Sequence, residues 1–245
     1  MHPSTLKADL FEQLLNSAPI ELGRYRTLKI TLSHWRYSFA DQTVLDFGAS
    51  SGLSISALLY HGAKSVIGVE PDQSRVADGI VMLQQASLGG RATLLHVADT
   101  RSLPFKDECF SFVLANGVIE HISQPRDEHI RELWRLVSPG GHLMINETPN
   151  KYLPKEIHTT NLWFNHWLPK NVAYRRAVRR KRFASERTDW DSSGWRGLGY
   201  FELVAPLTDY LLIPERTRAR HRILSAIRIP ASILDPYPTW VFRKV

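Results

Sequence analysis

Asp46, Glu70 and Asp99 each close a short apolar run, and each is followed by residues that turn the chain. The first carries the most chemical information. In Val44-Leu45-Asp46-Phe47-Gly48-Ala49-Ser50-Ser51-Gly52, a strand-like run reaches a carboxylate and passes into a turn of small residues, and helix formers follow over 54–60. Glycine and serine at a strand-to-helix turn let a ligand approach the backbone closely. A carboxylate at Asp46 repels a pyrophosphate but suits a ligand that carries positive charge. Glu70 ends Ser65-Val66-Ile67-Gly68-Val69-Glu70, and an acid at the tip of a second strand can accept hydrogen bonds from both hydroxyls of a ribose. Asp99 ends the run over 92–99, and a fourth run over 110–115 leads into Asn116-Gly117-Val118-Ile119-Glu120-His121.

These residues need a scaffold that brings them together. Helical segments separate the runs; over 128–137, Ile130, Leu133, Trp134 and Val137 recur at steps of three and four. Ser138-Pro139-Gly140-Gly141 reads as a turn into a fifth strand over 142–147. Strands alternating with helices imply an α/β fold, a mostly parallel sheet with helices on both faces. Ligands of such sheets sit at the carboxyl ends of the strands, so Asp46, Glu70, Asp99 and Asn116 are expected in one crevice. A sixth strand is expected over 199–204 and a final one over 238–244. Two helices are expected before the core: one over 6–15, with Leu6, Leu10, Phe11, Leu14 and Leu15 on one face, and one over about 23–37. The chain divides into N-terminal helices (1–41), a cofactor-binding core (42–150), a cap with a basic run (151–198) and C-terminal strands that complete the sheet (199–245).

Taken in order, Asp46-x-Gly48-x-Ser50-x-Gly52, Glu70, Asp99-Thr100-x-x-Leu103-Pro104-Phe105, Val118-Ile119-Glu120-His121 and Leu136-Val137-Ser138-Pro139-Gly140-Gly141 resemble the class I S-adenosylmethionine-dependent methyltransferases. They are similar in particular to the branch that acts on small molecules and lipid quinones. The resemblance implies a doubly wound, Rossmann-like sheet of seven strands with the last strand antiparallel, and S-adenosylmethionine as cofactor. It implies that Asp46 meets the positively charged amino-acid end and that backbone amides around Gly48 and Gly52 meet its carboxylate. Glu70 would take the ribose hydroxyls and Asp99 the adenine amino group. Thr100 would add a backbone contact, and Asn116 would lie beside the methionine portion. The family pattern usually has glycine where Ser50 stands; the hydroxyl could bond the cofactor carboxylate or the following backbone.

Methyl transfer is a displacement that needs alignment, and an acceptor hydroxyl must also lose its proton. His121 is the foremost base for that task and Glu120 the next. His158 and His166 lie in the cap segment 157–169, which loosely resembles the cap of bacterial methyltransferases acting on sugar- or lipid-linked acceptors. That segment could line an acceptor pocket, while Trp163, Phe164 and Trp167 read rather more readily as core beneath a surface helix. Scattered histidines without a compact set of ligands argue against a metal.

Composition narrows the class. The chain has 245 residues, and its hydrophobic share of 43% and charged share of 22% are those of a globular protein. One cysteine, Cys109, allows no internal disulfide. No signal peptide and no membrane-spanning run is read, so a cytoplasmic enzyme, peripheral to a membrane at most, is expected. Charge is unevenly spread: residues 1–150 hold 13 basic and 16 acidic side chains, residues 151–245 hold 18 and 8. A basic C-terminal part suggests an anionic partner: a phosphorylated acceptor, an anionic membrane surface or, less readily, nucleic acid. The run Arg175-Arg176-Ala177-Val178-Arg179-Arg180-Lys181-Arg182 is its densest part, with a solvated face as the plain reading.

The expected activity is O-methylation of a small, glycan or lipid-linked acceptor. An RNA methyltransferase is the alternative, but Asn116-Gly117-Val118-Ile119 lacks the Asn/Asp-Pro-Pro-aromatic pattern used on base amino groups, and Cys109 precedes the fourth strand. A non-catalytic relative would show a damaged cofactor turn, and apart from Ser50 the turn is intact. A nicotinamide dehydrogenase is opposed by Asp46 and by the missing middle glycine.

Overall fold

The structure is a computed structural model, and it describes residues 9–35, 37–123, 125–213 and 234–245. Seven strands form a sheet in the order β3-β2-β1-β4-β5-β7-β6. They are β1 (Thr43–Phe47), β2 (Ser65–Glu70), β3 (Ala92–His96), β4 (Phe110–Asn116), β5 (Val137–Asn146), β6 (Tyr210–Ile213) and β7 (Trp240–Lys244). β1, β2 and β3 pair in parallel, with Asp46 opposite Gly68 and Glu70 opposite His96. β7 runs antiparallel to both β5 and β6, which is the reversal expected for the last strand.

The chain forms two compact units, Met1–Leu114 with Leu136–Gly141, and Ala115–Arg135 with His142–Val245. In the first, β1 and β2 are buried along most of their length, which is why they read as unbroken apolar runs. Four helices accompany them: α1 (Leu10–Leu14), α2 (Pro19–Trp35), α3 (Leu53–Tyr60) and α4 (Gln73–Gln85). Asp72 caps α4 by accepting from the N–H groups of Ser74 and Arg75. α2 lays Tyr25, Leu28 and Leu32 inward, and the Tyr25 hydroxyl reaches Asp9 at 2.9 Å and Ser56 at 3.3 Å. Of the face expected for the first helix, Phe11 and Leu15 are buried, Leu10 and Leu14 are exposed, and Leu6 lies outside the described residues.

The second unit contains α5 (Asp127–Leu136, up to Arg135), α6 (Lys170–Arg179) and α7 (Tyr200–Val204). α5 opens with Asp127 and Glu128 and carries Arg135 in its last turn, each sign opposing the helix dipole. α7 corrects the sequence reading of 199–204 as a strand. Tyr200, Phe201 and Val204 favour extended backbone, but tertiary contacts override so short a preference. Glu202 pairs with both Arg126 and Lys151, and Leu203 alone of the five is fully buried. The sixth strand is instead 210–213. Ser138-Pro139-Gly140-Gly141, expected as a turn, forms the first part of β5, with Gly140 at φ +74°.

The segment 151–198 has its own small core. Ala173 and Ala177, one turn apart on α6, lie in a cluster with Phe183, Trp190 and Trp195, and the two tryptophans stack at 4.8 Å. This corrects the reading of the earlier aromatics as core. Trp163, Phe164 and Trp167 are 56%, 49% and 53% exposed, because the aromatics that follow the basic run fill the inner side of α6 instead. Among the described residues no helix is long and apolar enough to cross a membrane.

Candidate active site

The first unit presents Asp46, the 48–52 turn, Glu70, Asp99 and Thr100 at or just beyond the ends of three adjacent strands. Asp46 is fully buried, and neither carboxylate oxygen has a hydrogen-bond partner among the described residues. Burial, helped by the nearby charge of Glu70, pushes its carboxyl up to about 8. A buried acid with no donor is costly unless a ligand completes it. An ammonium group would do so, and this unsatisfied carboxylate is the structural test that the amino-acid end of S-adenosylmethionine passes.

The turn itself departs from the expected cradle of amides. Gly48 and Ala49 donate to Val69 O at 2.9 and 3.0 Å, Gly52 donates to Ala49 O at 2.9 Å, and Ser50 donates to Glu70 Oε2 at 2.9 Å. Those N–H groups are spent inside the fold, so Gly48 and Gly52 contribute shape more than donors. Gly52 sits at φ +87°, where a Cβ would lie 3.0 Å from the Leu83 side chain of α4. Ser50 adopts φ +46°, a region costly for a non-glycine residue. Its bond to Glu70 is what holds it there.

Glu70 also accepts from Asp72 N–H at 3.1 Å, so its two oxygens are fixed from both sides while lone pairs remain for hydroxyl donors. Asp99 is exposed and forms a forked pair with Arg101, with Nε and Nη2 both at 2.9 Å. Contact with an adenine amino group would have to share that carboxylate. Thr100 is half-buried beside it.

In the second unit, Asn116 ends β4. Its Oδ1 accepts from Asn146 at 2.6 Å and its Nδ2 donates to Glu147 at 3.3 Å. Thr239 donates to Asn146 Oδ1 at 2.6 Å. Asn146, Glu147 and Thr239 were not picked out from the sequence, since a polar network across strands leaves no spacing signal.

Glu120, His121 and His158 come together. One donor atom from each lies within 4.8 Å of the others, and the two imidazole rings are 5.2 Å apart. Three segments build this cluster. Glu120 and His121 sit on a short 3-10 turn, Ile119–His121. The buried guanidinium of Arg126 anchors that turn by donating to Glu120 O at 3.1 Å and Ile122 O at 3.0 Å. Buried Glu156 holds the second segment, collecting the N–H groups of His158 and Thr159 at 2.6 and 2.7 Å and that of Thr160 as well. Thr159 then donates to Ser193 O at 2.7 Å, tying in the third segment. There Gly194, at φ +81°, lies so close that a Cβ would meet His158 Cδ2 at 2.6 Å and Glu120 Cγ at 3.1 Å.

The electrostatics of the cluster are specific. Thr148 donates to Glu120 Oε2 at 2.9 Å, while the buried Oε1 has no hydrogen-bond partner among the described residues. Burial pushes the Glu120 carboxyl up to about 7, against the opposing pull of Thr148 and Arg126. His121 Nδ1 lies 2.7 Å from Ser192 O, a contact that requires Nδ1 to carry the proton. His121 Nε2 then faces Glu120 Oε1 at 3.9 Å. His166, the other histidine of the cap, is buried on Lys151 O and does not join the cluster. Ser192, Thr148, Gly194 and Glu156 escaped sequence reading because they act through a carbonyl, a backbone approach or a loop contact.

Residues 45–145 match the family model of a methyltransferase domain. Over that span, less than half of its length, the chain is similar to the class I S-adenosylmethionine-dependent methyltransferases. Its similarity to a tRNA U34 carboxymethyltransferase of Cellvibrio japonicus is 34% identity over 108 residues, covering 44% of this chain and 33% of that protein. A ubiquinone/menaquinone biosynthesis C-methyltransferase of Bartonella quintana is 27% identical over 158 residues, covering 62% of this chain and 59% of the relative. The matches thus span less than two thirds of either relative. Among solved structures, an S-adenosylmethionine-dependent methyltransferase from Mesorhizobium loti aligns with a TM-score of 0.51 at 14% identity, over 91% of this chain and 97% of that one. The [4+2]-cyclase SpnF aligns at 0.55 and 17% identity, over 90% and 80%. At such identities the likeness is one of fold, and a methyltransferase-like fold that carries a cyclase shows that the acceptor chemistry must be argued from the site.

Proposed function

We propose that this methyltransferase acts on an oxygen of a small, glycan or lipid-linked acceptor, and that the acceptor is anionic. The observation that carries the reading is the pairing of His121 Nδ1 with Ser192 O at 2.7 Å. In the neutral ring that contact leaves the lone pair on Nε2, the nitrogen a general base would use. Glu120, buried beside it, stabilises the imidazolium that forms when His121 takes the acceptor proton. His158 bounds the same space and orients the acceptor oxygen.

S-adenosylmethionine, when bound, supplies a methyl group on a positively charged sulfur that departs as a neutral thioether. The chain's own residues do the rest. Asp46 holds the ammonium end, Glu70 the ribose hydroxyls, and Gly48, Ser50 and Gly52 shape the turn against which the ligand lies. Asp99 and Thr100 serve the adenine, and Asn116, fixed by Asn146 and Glu147, the methionine portion. The preference for an anionic acceptor rests on Arg175, Arg179, Arg180, Lys181 and Arg182, all exposed.

A second reading, transfer to RNA, is favoured by the tRNA-modifying relative and by the same basic segment. Methyl-labelled donor incubated with separated lipid, glycan, small-molecule and RNA pools distinguishes them. Label in one of the first three, recovered as a methyl ether or ester and lost in His121→Ala, supports the proposal. Label confined to RNA overturns it.

A further inference from the structure

We propose that Glu120, His121 and His158 form a divalent transition-metal site, filled through Glu120 Oε1, His121 Nε2 and His158. Two imidazoles and one carboxylate are a donor set suited to zinc, manganese or iron in the divalent state, and three protein ligands leave positions open for substrate oxygens.

The geometry argues for a ligand beyond the protein. The Nδ1–Ser192 contact fixes the His121 tautomer, which turns the Nε2 lone pair toward Glu120 Oε1 at 3.9 Å. In the neutral ring that lone pair meets a buried carboxylate oxygen with no hydrogen-bond partner among the described residues, an arrangement that a cation relieves. A histidine whose second nitrogen donates to a backbone carbonyl is the usual supporting arrangement for a metal ligand. Thr148 supplies the same support to the carboxylate, occupying Oε2 at 2.9 Å and leaving Oε1 to bind alone. Bonds of about 2.0–2.2 Å set tetrahedral donors about 3.4 Å apart, so the donor atoms, now within 4.8 Å of one another, close by up to about 1.4 Å on binding. The scattered positions 120, 121 and 158 concealed this set in the sequence; the loops held by Glu156 and Gly194 assemble it.

This inference keeps the oxygen acceptor of the proposed function and replaces its base, because an Nε2 that binds a cation cannot also take a proton. A cation with adjacent open positions selects an acceptor with two neighbouring oxygens, such as a vicinal diol or a hydroxy acid, and lowers the pKa of the hydroxyl it binds. His121 then serves as a ligand, and proton loss is driven by the cation.

The test uses untagged full-length protein, stripped with chelator and titrated with manganese(II) or zinc(II) chloride in a calorimeter, with S-adenosylmethionine affinity measured in parallel. The expected result is one equivalent bound, weakened at least about 100-fold in Glu120→Gln and in His158→Ala, with cofactor affinity unchanged. Glu120→Gln keeps the Thr148 hydrogen bond and so guards against loss of fold, which circular dichroism checks. Absence of binding, or binding indifferent to both variants, overturns the metal site. Metal binding without methyl transfer to any oxygen acceptor leaves the site standing and removes the oxygen reading. Full transfer by chelated protein that still depends on His121 removes the metal and keeps the base.

Discussion

Glu70 reaches back across two strands' ends to hold Ser50, accepting its backbone N–H at 2.9 Å. One carboxylate therefore fixes the tip of β2, through Asp72, and the positive-φ residue of the turn after β1. Glu70→Ala is expected to weaken S-adenosylmethionine binding by at least tenfold and to cost about 1–3 kcal/mol of stability, since two part-buried donors lose their acceptor. Glu70→Gln, which keeps an acceptor oxygen, should recover part of the stability. Calorimetry and thermal melts measure the two effects separately; unchanged cofactor affinity in Glu70→Ala would refute the ribose assignment.

Asp46 makes stability depend on pH in a direction opposite to most carboxylates. Folded, it keeps its proton to about pH 8, whereas unfolded it releases it near 3.8. Between those limits folding binds a proton, so stability falls as pH rises from about 4 to about 8 and levels off above. Asp46→Asn should abolish that fall and melt higher than the parent at pH 8. Cofactor binding should expel the proton at pH 7, so the binding enthalpy should differ between phosphate and Tris buffers in proportion to their ionisation heats. An enthalpy independent of buffer would show that the ligand leaves Asp46 protonated.

Much of the fold was legible because parallel strands buried on both sides are continuous apolar runs. The span 65–70 was read to the residue, and the reversal of β7 followed from the family resemblance. The misreading of 199–204 has a plain cause: five residues hold too little pattern to outweigh the ion pairs of Glu202. Strand β6, only four residues long, was missed for want of length. At the site, Asp46 and Glu70 announced themselves by lying at strand ends. The Glu120–His121–His158 cluster did not, because its assembly depends on the Ser192 carbonyl and on the open φ of Gly194, neither of which spacing reveals.

Gly194→Ala tests that dependence without touching a titratable group. The new methyl would press on the His158 ring at 2.6 Å and on Glu120 Cγ at 3.1 Å, at a φ that alanine adopts at a cost of about 1–3 kcal/mol. Methyl transfer should fall by at least tenfold while S-adenosylmethionine affinity stays within twofold. Equal losses in both would point to general unfolding, and melts by circular dichroism separate that outcome.

The segment 151–198 carries an exposed aromatic edge. Trp163, Phe164 and Trp167 pack on one another, with ring centroids 6.1 and 5.2 Å apart along the series, and Phe164 is held outward at φ +58°. Arg176 donates to Trp163 O at 2.7 Å, joining this apolar surface to the basic helix α6. Mutually packed rings offer a continuous apolar face rather than separated slots for stacked bases, and basic side chains beside such a face suit an anionic bilayer. Vesicles containing phosphatidylglycerol should therefore retain the protein at about 0.1 M salt and release most of it at 0.5 M, where screening is stronger. Trp163→Ala with Trp167→Ala should weaken retention severalfold with little change in melting temperature, because both rings are already half in solvent. Arg179→Glu with Arg180→Glu should act in the same direction through charge. Retention equal on neutral vesicles would deny the electrostatic part, and tight binding to single-stranded RNA with none to vesicles would assign this surface to nucleic acid.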